Sequence, residues 1–175
     1  MDSIKLSINA YIQARKWLIA GYDNYIALCA KEGPQTVILS EDVEPFAALN
    51  ETIFWGISLY ERKNKVADDF MSGIKFIFNT MKHCDTSFQV YSICHPGIKI
   101  SIKVHEGPDG PAFTDASIKP DLIFGEIEDI PIYKKNKNQR DKYIQLIQGK
   151  SIPDIMTKLD EVLMRLFPSE LWNEL

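Results

Sequence analysis

Three residues at four-residue spacing, Lys75, Asn79 and His83, form the part of the chain best suited to chemistry. At 3.6 residues per turn they make a polar stripe down one helical face, with Phe70, Ile74, Ile77, Phe78 and Met81 supplying the buried side. A stripe with an amine, an amide and an imidazole can form the wall of a site. An imidazole such as His83 titrates near neutral pH and suits an acid or base role. Asn79 could orient it, and Lys75 offers a point charge. The alternative is a solvated helix edge, in which His83 closes a helix with its charge favoured by the C-terminal dipole.

A second set of polar residues belongs with these. Asn50 and Glu61 lie three turns apart on one helical face, and with Glu51 they are candidate binding residues. Lys134 and Lys135 open a basic run to Lys142 that could meet phosphate, although a run this short also suits a solvated loop. Phe54, Trp55 and Tyr60 read as core or interface. A zinc site from His83, Cys84, Cys94 and His95 is disfavoured, because adjacent residues diverge on a helix and point to opposite faces of a strand. No phosphate loop, dinucleotide fingerprint or nucleophile elbow occurs. Neither a metal nor a cofactor is expected.

The elements that must position these residues follow from periodicity. Apolar residues from Ile4 to Cys29 recur at helical spacing, giving one long helix from Ser3 to about Lys31 that Gly33-Pro34 stops. Ser40 or Asp42 is placed to cap a second helix with Pro45 in its first turn, running to about Lys63. A third begins at Asp68-Asp69, where negative charge favours a helix start, and pairs with the second as an antiparallel hairpin. After Cys84 the period changes to two. Strands over 88–94 and 98–104 with a Pro96-Gly97 turn, a loop over 106–120 and a third strand at Leu122–Phe124 are predicted. The apolar face of that hairpin is expected to cover the helices. Ser151 and Pro153 start a last helix whose buried face holds Ile155, Leu159, Val162, Leu163 and Leu166, and Trp172 is expected to dock.

The expected class is therefore α+β in a single domain over 1–175: a helical half (1–84), a small antiparallel sheet (87–127) and C-terminal helices (139–167). A length of 175 residues with 45% hydrophobic content supports one sizeable core. The net charge of -4 argues against a wholesale nucleic-acid coat but leaves room for a local basic patch. Three cysteines cannot all pair, and Ser3 to Lys31 is too charged for a secretory signal, so a reducing cytoplasmic setting is expected. No apolar run reaches the roughly 18 residues of a membrane span.

The helix from Ala48 to Glu61, containing Leu49-Asn50-Glu51, and the helix Gly73-Ile-Lys-Phe-Ile-Phe-Asn-Thr-Met-Lys-His83 together resemble the HEPN superfamily of bacterial helical proteins. The segments Glu126–Pro131 and Tyr143-Ile-Gln-Leu-Ile-Gln-Gly149 resemble the close of one uncharacterised set within it, so that about half of the chain is touched. The resemblance implies a homodimer through the helix hairpin and a ribonuclease motif Arg-Asn-x-x-x-His, here Asn79 and His83. It also implies a defence or toxin–antitoxin setting. This chain departs from the motif where the arginine should stand, because Phe78 has no planar donors to offer a phosphate. A non-catalytic module that binds RNA or a partner protein is the expectation. A ribonuclease using His83, Asn79 and Lys75, and a structural or immunity-type interaction module, are the alternatives.

Overall fold

A computed structural model describes residues 3–32, 44–63, 67–83, 94–107, 110–129 and 137–172. Five helices and a two-stranded antiparallel sheet account for most of them: α1 (Ser3–Glu32), α2 (Glu44–Lys63), α3 (Asp69–His83), β1 (Cys94–Gly107), β2 (Gly110–Phe124), α4 (Lys137–Leu146) and α5 (Ile152–Leu166). Short 3₁₀ turns occupy Ile127–Asp129 and Ser169–Trp172. The α+β class holds, with helices dominant.

The helix α1 is uninterrupted over 30 residues because nothing in it breaks the ladder, and it extends about 45 Å at 1.5 Å per residue. Its inner face, including Ile8, Tyr11, Leu18, Tyr25 and Cys29, is buried in one continuous core with residues of every other helix. The helix α2 runs back along it, and Arg62 near the end of α2 donates from Nη1 to Ser7 Oγ (2.9 Å) and Ser3 O (3.2 Å) at the start of α1. Asp68 caps α3 by accepting from the Met71 backbone N–H at 2.8 Å, which bears out the expected start of that helix. Phe54 pairs with Phe78, and further along α2 Glu61 pairs with Lys75 earlier in α3, so α2 and α3 are antiparallel.

Helix α4 packs on α3 with almost no spacing between their backbones. A methyl at Gly73 would lie 2.8 Å from Ile147 Cδ1 and 3.2 Å from the Tyr143 backbone nitrogen. Gly149, at φ +71°, turns the chain out of α4. The amide of Gly149 donates to Phe124 O at 2.8 Å and that of Phe124 to Lys150 O at 2.9 Å, which fastens the end of β2 to the α4–α5 junction. The hydroxyl of Tyr143, fully buried, closes the same corner by donating to Gly125 O at 2.7 Å. Trp172 docks as expected, edge-on to Tyr11 with ring centroids 6.0 Å apart.

The sheet differs from the sequence reading. Pro96 and Gly97 make no turn: they lie inside β1, paired with Leu122 and Asp121. The pairing of β1 with β2 runs instead as far as Gly107 with Gly110, and residues 108 and 109 lie outside the described residues. The segment expected to be a loop, 106–120, is mostly strand, and the expected third strand is the end of β2. A Pro-Gly pair gave the stronger turn signal, but long-range pairing with β2 overrode it. The predicted strand over 88–94 lies outside the described residues except for Cys94, as do Ser40, Asp42 and the Gly33-Pro34 stop. Nor do the helices cover the ribbon at Ile100, which is 62% exposed and aligned with Ile118.

Candidate functional site

The stripe on α3 is committed to partners within the chain. Lys75 Nζ lies 3.1 Å from Glu61 Oε1 and 5.6 Å from the centroid of the Tyr60 ring, so its charge is held between a carboxylate and an aromatic face. Asn79 donates from Nδ2 to Gln139 Oε1 on α4 at 3.0 Å. Phe78 packs on the core, with its ring 6.3 Å from that of Phe54. His83 ends α3, and its side chain lies outside the described residues, as do Lys134 and Lys135. Asn50 and Glu51 are exposed on α2, about 16 Å along the helix from Glu61 at the far end. Farther along the basic run, Lys142 Nζ pairs with Asp69 at 2.6 Å.

Between the two helices the outer face of the hairpin carries an exposed aromatic cluster. Phe54 is 43% exposed and stands edge-on to Trp55 at 5.1 Å; by helical spacing Glu51 and Glu61 lie one turn before and two turns after it on α2, and Lys75 and Lys82 lie one turn to either side of its partner Phe78 on α3. Phe54 lies about 100° around α2 from Ile53 and about 60° from Ile57, both buried, and so stands at the margin of the buried face.

The polar groups that the fold buries most deeply are elsewhere, between α1 and α5. Asp160 accepts from Tyr11 Oη at 2.5 Å, from Arg15 Nε at 3.0 Å and from Arg15 Nη2 at 2.7 Å, a two-pronged guanidinium–carboxylate pair inside the core. Burial, followed by the negative charge of Asp160, pushes the Tyr11 phenol well above its usual range. Burial disfavours the Arg15 charge, but the hydrogen bonds and charge of Asp160 outweigh it, and the guanidinium stays protonated. Two turns further along α1, Tyr22 donates to Asp121 Oδ1 at 2.5 Å. That carboxylate, 1% exposed, also accepts from the Leu122 amide at 2.8 Å and from Ser151 Oγ at 3.3 Å. Burial and then the bond to Asp121 raise the Tyr22 pKa. Ser151 does occupy the cap position of α5, but its hydroxyl serves Asp121 instead of the helix amides.

These two clusters border a cleft of about 260 Å³ lined by Arg15, Leu18, Ile19, Tyr22 and Asp23 of α1 and by Ile152, Pro153 and Thr157 of α5. Neither Lys75 nor Asn79 lines it. Periodicity alone passed over this region because Arg15 and Asp160 sit among apolar neighbours and were absorbed into core faces. The available signal was a charged residue at a core position in each of two distant helices, which calls for a partner. Among the described residues no group of three or more His, Cys, Asp and Glu is placed to hold a metal ion, and no helix is long and apolar enough to cross a membrane. No protein-family model matches the chain, and neither the curated proteins nor the solved structures give a match to it.

Proposed function

We propose that this chain is a non-catalytic, HEPN-like binding module whose α2–α3 hairpin meets a second copy of itself, and that the resulting dimer engages a partner protein or nucleic acid. The observation that carries the reading is the state of the hairpin: Phe78 packs where a catalytic arginine would stand, and Lys75 and Asn79 are occupied by Glu61, Tyr60 and Gln139. Groups held in this way serve positioning, and a phosphate would have to displace their partners. The exposed Phe54 supplies the apolar centre of a contact surface. A two-fold axis parallel to the helices brings the acidic edge of α2 in one copy, Glu51 and Glu61, against the basic edge of α3 in the other, Lys75 and Lys82. An axis across the helices would oppose like charges. Self-complementarity of this kind is what an isologous interface requires.

The test is one sample studied two ways. Mass determination in solution is expected to give a dimer that Phe54→Glu converts to monomer with unchanged helical content. Incubation with mixed RNA in the presence of chelator is expected to leave the RNA intact. RNA cleavage that His83→Ala abolishes would replace this reading with the ribonuclease one, and a monomeric wild type would remove the hairpin surface from it.

A further inference from the structure

We propose that the cleft between α1 and the start of α5 is a binding site for a small monocarboxylic acid with an apolar body, its carboxylate held by Arg15. The hydrogen-bonding capacity that the fold leaves over in the cleft selects the ligand. Neither buried carboxylate lines the cleft: Asp160 accepts from Tyr11 and from Arg15 Nε and Nη2, and Oδ1 of Asp121 accepts from Tyr22, the Leu122 amide and Ser151. Thr157 donates its hydroxyl to Pro153 O at 2.8 Å. Arg15 differs: the residue is 7% exposed and lines the cleft, yet Nη1 has no acceptor among the described residues. A guanidinium that already grips one carboxylate along one edge keeps planar donors for another, which makes the unmatched group a donor that seeks an anion.

The walls set the rest of the ligand. Leu18, Ile19, Tyr22, Ile152 and Pro153 give the cleft a largely apolar lining, and the Thr157 hydroxyl is bonded to Pro153 O. A volume of about 260 Å³ exceeds the roughly 150 Å³ hole that admits benzene, so an aromatic ring with a short acid chain fits. The site lies beside the first turn of α5, whose dipole favours negative charge. Asp23, exposed and two turns along α1 from Arg15, is the acid that lines the cleft; Asp154, next to the lining residue Pro153, is paired with Lys99 at 3.0 Å. Asp23 repels a second negative charge, so the site selects a monoacid over a diacid of equal length.

The experiment uses the whole 175-residue chain with 3-phenylpropanoate, its neutral amide 3-phenylpropanamide, and a linear diacid as probes, followed by thermal denaturation and by amide chemical shifts. The monoacid is expected to raise the melting temperature saturably and to shift amides of α1 and of the start of α5, with affinity at least about tenfold above the amide and the diacid. Because Arg15 variants disturb the core, the deciding variant is Ile19→Glu. Its position is 49% exposed, so folding is retained while a carboxylate enters the cleft, and binding of the monoacid is expected to be lost. Absence of saturable binding, equal affinity for acid and amide, or unchanged binding in Ile19→Glu would each overturn the assignment.

Discussion

At the scale of single residues, the Tyr11–Arg15–Asp160 cluster makes the sharpest stability prediction. Both members of the ion pair are nearly inaccessible, with side chains 9% and 12% exposed, so removal of one leaves a desolvated charge behind. Asp160→Ala is expected to cost about 3–5 kcal/mol in urea unfolding, whereas Arg15→Met combined with Asp160→Leu should recover most of it. A double variant as unstable as the single one would show that geometry, and not the stranded charge, sets the cost. Tyr22 adds a pH dependence. Its pKa is raised in the folded chain by burial and by Asp121, so folding favours the protonated phenol. That stability is complete below the pH of about 10 at which an unfolded tyrosine ionises, declines above it, and is gone once the pH passes the folded value. Urea midpoints measured upward from pH 8 are expected to fall less steeply beyond pH 10 in Tyr22→Phe than in the wild type.

At the scale of elements, α3 and α4 are joined where one residue has no side chain. Gly73→Ala would press a methyl against Ile147 and the α4 backbone at Tyr143, and backbone does not yield as a side-chain tip does. A loss of about 1–3 kcal/mol is expected, with reduced amide protection in α4. Gly149→Ala meets no atom within 4 Å, and its cost, about 1 kcal/mol, comes from its positive φ alone. Helices were legible in the sequence because their signal is local: the unbroken apolar spacing of α1, the Asp68 cap, and Ser151-Ile-Pro153 ahead of α5 all appear where expected. The ribbon was not. Its register is set by partners such as Lys99 with Lys119 and Ile100 with Ile118, about twenty positions apart, and a proline-rich stretch with two glycines reads locally as loop.

At the scale of the molecule, the stripe of Lys75 and Asn79 could be placed on one helix face from spacing alone, but what each group touches could not. Glu61 and Gln139 are fixed by how three helices pack. The cleft was less legible still, since it is assembled from residues more than a hundred positions apart in the chain. That separation has a consequence for how the protein is made. Arg15 is incorporated 145 residues before the Asp160 that neutralises it, and at about 5–20 residues per second a nascent chain waits on the order of ten seconds or more between the two. During that interval the inner face of α1 holds both a core's worth of apolar side chains and an unmatched cation. The cation adds a cost to burying the Arg15 turn of α1 before Asp160 has been made.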